Sequence, residues 1–308
     1  MKVFLSGGAG FIGSHVAEAL IAQSHDVMIF DNLSTGLREN VHPKARFIEG
    51  DIRNQNVQQL FEQEHFDAVI HLAAQTGVPA SIDSPGYDCD VNILGTVNLL
   101  EACRKTNVRR FVFASTAAVY GNTNEVPVTE LFQPGPTSFY GLSKLTVEKY
   151  LALYHTQFGI DYVVLRYANV YGERQGEGGE GGVVSIFVRK IFNHEPVTIF
   201  GDGGQTRDFI YVGDVAAANC QAIVTKRPNQ VYNISTQTEI SVNTMLKLLE
   251  KISGGRANVT YGPARQGDIY QSFLSHARAK EKLPWLPAIS LETGLARTYH
   301  YLTTKRGS

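Results

Sequence analysis

The chain has 308 residues and is 43% hydrophobic, enough for a full core in one large domain or two lobes. Its 28 basic and 29 acidic side chains leave a formal net charge of -1, which gives no electrostatic hold on nucleic acid or on an anionic membrane surface. No run of about 18 apolar residues reads as a membrane span.

The pattern opens with a short apolar strand, Val3–Leu5, that runs into Gly7-Gly8-Ala9-Gly10-Phe11-Ile12-Gly13 and on into a helical stretch, Phe11–Gln23. Eighteen residues past Gly13, Asp31 closes a second apolar run, Val27–Phe30. A dinucleotide site needs those parts in that order. Gly7 allows the sharp turn, Gly10 lets the backbone approach a pyrophosphate, and Gly13 lets the helix pack close to the sheet with its first N–H groups aimed at the phosphates. An acid about 20 residues on accepts hydrogen bonds from the adenosine ribose, which favours NAD over NADP. NAD is the expected cofactor.

Further strands are expected at Arg46–Ile48, Ala68–His71, Arg110–Ala114 and Val163–Arg166, with helices at Val57–Gln63, Val91–Thr106 and Phe139–Phe158. This alternation predicts an α/β fold with a doubly wound parallel sheet. The stretch from Val91 to Leu100 is apolar at several points round the helical wheel. It must be covered on more than one side, by the sheet and by either a partner subunit or more of the same chain. After Tyr171 the pattern changes. Gly176, Gly178, Gly179, Gly181 and Gly182 make an acidic glycine loop, followed by a helix at Val183–Phe192 and a strand at Val197–Phe200. Met245, Leu248, Leu249 and Ile252 then mark an amphipathic helix starting near Ser241. We read residues 1–172 as a dinucleotide-binding domain to which segments near 205–240 return, and 173–308 as mainly a smaller α/β substrate lobe. Cys89, Cys103 and Cys220 lack metal or CxxC spacing and read as core residues of a reducing compartment. Met1–Leu5 leads straight into the fold, so a cytoplasmic location is expected.

Tyr140 and Lys144 stand at i and i+4, on one helix face. A free phenol titrates near 10, so a base working at neutral pH needs its pKa lowered by ~3 units, about 4 kcal/mol. A nearby ammonium and the positive nicotinamide ring of NAD supply that in a site sheltered from water. The same lysine can hydrogen-bond the nicotinamide ribose. Ser115 and Thr116 end the strand running from Phe111 to Ala114, on the side where open α/β sheets bind ligands. A surface Tyr–Lys pair and ordinary strand-end hydroxyls are the bland alternatives, but their joint occurrence downstream of a dinucleotide motif favours a site. His71 is expected to pack at a strand end rather than to donate protons.

Taken with Asp51-Ile52, His71-Leu72-Ala73-Ala74, Asn92, the run from Arg166 to Gly172, Phe200-Gly201-Asp202-Gly203, Arg207-Asp208-Phe209 and Arg265-Gln266-Gly267-Asp268, these residues resemble one family over nearly the whole chain. It is the extended short-chain dehydrogenase/reductases that modify nucleotide sugars, and within it the chain is most similar to the short bacterial-type UDP-glucose 4-epimerases. The resemblance implies a Rossmann fold, a resident NAD, a UDP-sugar substrate and a homodimer through helices near 91–106 and 139–158. It implies interconversion of UDP-glucose and UDP-galactose through a transient 4-keto sugar, with Tyr140 as base, Lys144 tuning it, and Thr116 on the sugar 4-hydroxyl beside Ser115. Asp51 and Ile52 would contact adenine, and Leu72, Ala73, Ala74 and Gln75 would line the pyrophosphate and nicotinamide. Phe11, Ile12, Asn32, Ser34, Thr35, Gly36, Asn92, Ser115, Tyr167, Ala168 and Val170 would complete the cofactor site. For the substrate, Asn169 would hold the sugar nucleotide, Phe200 would flank the uracil near Val184, Thr198 and Ile199, and Arg207 and Arg265 would clamp the diphosphate, with Asp268 orienting Arg265.

The same resemblance makes one departure informative. Sibling 4,6-dehydratases carry an Asp–Glu pair just after the catalytic Thr, and UDP-glucuronate decarboxylases keep the Glu; here Ala117 and Ala118 occupy those positions. Neither can transfer a proton, so the 4-keto sugar is expected to be re-reduced. In related epimerases the residue seven positions after the second arginine gates the sugar 2-substituent, and here it is Ser272. Its small side chain predicts tolerance of UDP-GlcNAc and UDP-GalNAc. A UDP-glucuronate 4-epimerase, another nucleotide-sugar reductase or dehydrogenase, and a non-catalytic NAD-binding regulator remain alternatives.

Overall fold

Successive side chains of a strand point to opposite faces, and apolar runs on both faces demand helices on both sides of the sheet. The computed structural model, which describes residues 1–123, 125–176, 181–264 and 270–306, has that layered arrangement. In chain order the first half comprises β1 (Lys2–Ser6), α1 (Phe11–Ala22), β2 (Asp26–Asp31), β3 (Arg46–Glu49), α2 (Asn56–Glu64), β4 (Ala68–His71), α3 (Val78–Asp83) and α4 (Pro85–Cys89). A π-helical turn, Asp90–Leu94, leads into α5 (Gly95–Thr106), followed by β5 (Arg110–Thr116), α6 (Phe139–Phe158), β6 (Asp161–Tyr167) and β7 (Asn169–Tyr171). The second half comprises α7 (Val183–Phe192), β8 (Val197–Phe200), β9 (Thr206–Arg207), β10 (Phe209–Tyr211), α8 (Val212–Val224), β11 (Gln230–Ile234), β12 (Ile240–Ser241), α9 (Val242–Ser253), β13 (Val259–Gly262), α10 (Ala277–Lys282) and α11 (Leu291–Arg306).

Seven strands form one parallel sheet in the order β11-β6-β5-β4-β1-β2-β3. Val3, Leu5, Ile29, Ile70, Val112 and Leu165 face a core closed by α1 and α8, through Val16, Leu20, Val215 and Ile223. Phe4, Met28, Val69, Phe111 and Val164 face the opposite core, closed by α2, α5 and α6 through Phe61, Leu99, Leu100 and Leu151. Each such large side chain, wholly removed from water, contributes about 1.5–3 kcal/mol. The segment from α8 to β11 returns to this sheet: α8 packs on α1, and β11 pairs with β6. The seven strands read from sequence are all present, Val197–Phe200 as β8, while the edge strand β11 was not among them. The expected helix from Val91 opens instead as a wider π turn, whose Asn92 carbonyl accepts from the Thr96 hydroxyl of α5 at 2.6 Å. No described helix is long and apolar enough to cross a membrane.

A third core unites α7, α9 and α11 around the parallel pair β8–β13, through Phe187, Val197, Met245, Leu249 and Leu295. The strand order reverses between β1 and β4, so the chain leaves these neighbours in opposite directions and a crevice opens beyond their carboxyl ends. The third core stands over that crevice.

Candidate active site

The glycines at the crevice are required for different reasons. Gly7 has φ of +74°, and a Cβ there would lie 2.6 Å from Ala73 N. A Cβ on Gly13 would lie 2.0 Å from Gly7 O, so only glycine lets α1 start against the turn. At Gly10 the nearest atom to a Cβ would be Gly7 O, at 3.3 Å, and the bare edge faces the cleft. No side chain caps α1, which leaves the N–H groups of its first turn open to an anion. Asp31, at the end of β2, is held by Ala9 N–H at 3.0 Å and Leu33 N–H at 2.9 Å, and burial raises its pKa. Asp51 accepts from Asn32 Nδ2 at 2.9 Å and from Arg53, whose guanidinium holds the carboxyl well below the usual range. An uncapped helix N-terminus, a glycine edge and two acids lining the same cleft suit a dinucleotide.

The cleft has a volume of about 960 Å³. Of the residues predicted for it, Gly7, Gly10, Phe11, Ile12, Gly13, Asp31, Asn32, Ser34, Thr35, Asp51, Ile52 and Leu72 through Gln75 line one part. Ser115, Thr116, Tyr140, Lys144, Tyr167, Ala168, Asn169, Val170, Val184 and Arg207 line the rest. Gly36 stands behind the wall, where a Cβ would press on Asp31 Oδ1 at 2.9 Å. Asn92 also stands behind it, accepting from Gln75 N–H at 2.9 Å and donating to Gln75 O at 3.0 Å. Thr198 and Phe200 lie off the cleft: the Thr198 hydroxyl meets that of Thr260 at 3.1 Å, and Phe200 lies against Gly262. Ile199 is buried in the third core, so its backbone alone can meet a ligand, which corrects the expectation for its side chain. Ser272 is half-buried and off the described cleft wall, while Arg265 and Asp268 lie outside the described residues.

Tyr140 and Lys144 sit in the first turns of α6, which is capped by Ser138 Oγ accepting from Gly141 N–H at 3.1 Å. Gly141 lets the helix approach the turn after β5, because a Cβ there would lie 2.7 Å from Ala118 O. The Thr116 hydroxyl, which accepts from Ala118 N–H at 3.1 Å, stands on the same cleft wall as the Tyr140 phenol and favours its ionised form. Lys144 is buried, donates to Ala114 O at 2.9 Å, and lies 6.0 Å from the centre of the Tyr140 ring. The ammonium and the nicotinamide ring together are expected to lower the phenol, and the cofactor-free protein by itself acts in the opposite direction. Burial pushes Tyr140 up to about 12, and burial pulls Lys144 down to about 8. In the cofactor-free protein burial thus acts against the charged form of both groups.

Ser115 differs from expectation as well. Its hydroxyl is buried and donates to Glu148 Oε1 at 2.6 Å, and Glu148 also receives Arg166 Nε at 2.9 Å. The serine locks β5 to α6 and β6 rather than turning its hydroxyl to the crevice. His71 is fully buried between Ser6 Oγ at 2.6 Å and Thr96 Oγ1 at 2.8 Å, and burial lowers it to about 3. Such a histidine stays neutral and packs, as expected. Sequence reading missed Arg174 and Gln175, which also line the cleft. Gln175 Nε2 donates to Val170 O at 2.9 Å, and Arg174 pairs with Glu18. Their only sequence signal is position, directly after the run that ends at Gly172.

Residues 3–235 match the NAD dependent epimerase/dehydratase family. The chain belongs to that family. It is 36% identical over 311 residues to the UDP-glucose 4-epimerase of Mycolicibacterium smegmatis, covering 99% of each chain. Its fold matches a Thermotoga maritima UDP-glucose 4-epimerase solved with UDP-glucose, at a TM-score of 0.96 and 42% identity over 99% of this chain and 100% of that one. A Thermus thermophilus UDP-glucose 4-epimerase in complex with NAD matches at a TM-score of 0.93 and 39% identity, over 98% of this chain and 99% of that one. The family member described here is thus an NAD-dependent isomerase of the UDP-glucose 4-epimerase type, an extended short-chain dehydrogenase/reductase.

Proposed function

We propose that this family member interconverts UDP-glucose and UDP-galactose by oxidising and re-reducing the sugar at C4. Tyr140 is the base, Thr116 orients the 4-hydroxyl, and Lys144 holds the charge of the phenolate. One observation supports this outcome over the sibling reactions. Among the described residues lining the cleft, the carboxylates are Asp31 and Asp51, both at the ends of the β2–β3 side. Ala117 and Ala118, next to Thr116, offer no proton-transferring group. Without an acid or base at C5, a 4-keto sugar cannot eliminate, and it returns to a 4-hydroxy sugar. NAD, when bound, supplies the reversible hydride store for C4. The rest is the work of this chain: Tyr140 Oη takes the 4-hydroxyl proton and returns it, while Thr116 keeps oxygen and phenol in line.

Arg207, at the cleft wall, is proposed to hold the diphosphate, since a guanidinium fork matches phosphate oxygens. With the nucleotide tethered, the keto sugar can turn in a cleft whose volume of about 960 Å³ is at the upper end for small-molecule sites. The test is incubation of the purified protein with UDP-galactose and no added cofactor. UDP-glucose should form, and Tyr140→Phe should lower the rate by about a hundredfold or more. Product that forms only with added NADH, as a reduced sugar, would replace the epimerase reading by a reductase.

Ser272 supports a wider substrate range that includes UDP-GlcNAc and UDP-GalNAc. Ser272→Tyr should remove the N-acetyl activity and spare UDP-galactose. We further propose a homodimer through the α5–α6 face. Leu94, Leu142, Tyr150 and Leu153 are exposed there at 57%, 49%, 38% and 60%. Sedimentation should give twice the chain mass, and Leu153→Asp should reduce it to the monomer.

A further inference from the structure

Next to Thr116 a buried ion pair ties three elements together. Glu148, on α6, and Arg166, on β6, are each 5% exposed at the side chain. Glu148 Oε1 accepts from Ser115 Oγ at 2.6 Å and from Arg166 Nε at 2.9 Å, and Glu148 Oε2 accepts from Arg166 Nη2. Ser115 and Arg166 stand opposite each other in the β5–β6 register, so one carboxylate gathers both strands onto the helix. Stability does not account for the pair. Among the described residues Arg166 Nη1 is buried with no hydrogen-bond partner, which is costly. Apolar side chains of similar volume often fill such a site equally well.

The pair fixes the geometry of the residues beside it. Alternation along β5 turns Phe111, Phe113 and Ser115 to the α6 side. Thr116, the next residue and the last of the strand, therefore leaves it in a direction set by where Ser115 is held. After Thr116 the 3-10 turn Ala117–Tyr120 is held at its far end. The Tyr120 ring lies 4.7 Å from the Arg166 guanidinium, and its hydroxyl donates to Asn233 Oδ1 at 2.7 Å. The ion pair thus grips the chain on both sides of Thr116. On α6, Tyr140, Lys144 and Glu148 follow one another four residues apart along one face. Lys144 Nζ donates to Ala114 O at 2.9 Å, one residue before the Ser115–Glu148 bond. We propose that Glu148 is a positioning residue for the chemistry at C4: held by Arg166, it docks the Ser115 end of β5 on α6 and so sets where the Thr116 hydroxyl stands relative to Tyr140. The proposal rests on the reading of Tyr140 as base with Thr116 as its partner. Glu148 is not among the residues lining the cleft, so it acts through its neighbours.

Ser115→Ala breaks the tie to β5 and leaves the ion pair whole. Glu148→Ala combined with Arg166→Met removes the pair without stranding a buried charge. Each should lower kcat, counted per bound NAD, by about tenfold with KM for UDP-galactose unchanged, as a displacement of ~0.5 Å at the reacting atoms would. Ser115→Ala made in the background without the pair should cost less than about twofold more, because both changes act through one contact. The Ala118 amide, which donates to Thr116 Oγ1 at 3.1 Å, reports on the turn without any sugar. Its hydrogen exchange should quicken about tenfold in Ser115→Ala, while the amides of β1 keep their rates. Full kcat per bound NAD in Ser115→Ala, the same tenfold loss in both backgrounds, or unchanged Ala118 exchange overturns the proposal. If the variant without the pair does not fold, Ser115→Ala decides alone. Should the wild-type protein leave UDP-galactose unchanged, the functional reading fails, and the Ala118 exchange still decides whether the Ser115–Glu148 contact sets the turn.

Discussion

The order in which Tyr140 and Lys144 lose their protons yields a quantitative prediction about cofactor removal. In cofactor-free protein the phenol titrates at about 12 and the ammonium at about 8. A single positive charge about 4 Å from a phenolate, at the effective dielectric of a protein interior, is worth ~4 kcal/mol, or about three pKa units. NAD, whose nicotinamide ring is cationic, should then bring Tyr140 down to ~9. That is within reach of the Lys144 titration, and from there the two groups ionise as a coupled pair. In the range where Lys144 is still an ammonium, its charge adds to the shift. The assay is tyrosinate absorbance near 295 nm, recorded against Tyr140→Phe with and without NAD. Burial raises Tyr154, Tyr162, Tyr167, Tyr171, Tyr211 and Tyr232, so a tyrosinate appearing below pH 9 can be assigned by its loss in Tyr140→Phe. The expected result is one extra tyrosinate per chain, with a midpoint at least about three units lower in the loaded protein, and Lys144→Met stalled near ~9. An unchanged midpoint on loading would refute the electrostatic account of the base.

Three substitutions test the frame around that pair. Gly13→Ala places a Cβ 2.0 Å from Gly7 O and 2.7 Å from Gly8 Cα, both backbone, so α1 must move. It should lower stability by about 1–3 kcal/mol and abolish retention of NAD, read by melting and by absorbance of the released cofactor. Gly141→Ala presses on Ala118 O at 2.7 Å and shifts Tyr140 away from Thr116, so kcat should fall by about a hundredfold while the far-ultraviolet spectrum is unchanged. Asp208→Ala strands the Thr236 N–H and hydroxyl, at 2.8 and 2.7 Å, and the Gln237 and Leu274 N–H groups, at 3.1 and 3.3 Å. Urea unfolding should show a loss of at least about 3 kcal/mol.

What was legible in the sequence is what depends on near neighbours along the chain. The glycine turn, Asp31 and the catalytic helix follow from spacings within about one helix or one β-turn-α unit, and α6 and α7 fall where their capping and apolar patterns end. β11 was hidden because its run, Gln230–Ile234, is short and carries Asn233; it becomes a strand through pairing with β6 and packing beside α10. The π turn was hidden for a related reason: its sequence is an ordinary helical one, and it packs against α6, which local sequence does not announce.

The same distinction separates the correct from the incorrect expectations at the site. That Ser115 would end at the cleft is a matter of strand length, and it does; which way its hydroxyl points depends on Glu148 and Arg166, which come from two other elements. That Tyr140 and Lys144 would share a face follows from helical spacing, but their pKa values follow from how much water the fold removes. Burial acts on both members of the pair in the direction that disfavours charge, raising an acid and lowering a base. A tyrosine–lysine motif in a dry site is therefore inactive by default and needs outside charges to reverse it. Bound NAD can favour the phenolate, but its positive ring also opposes the ammonium.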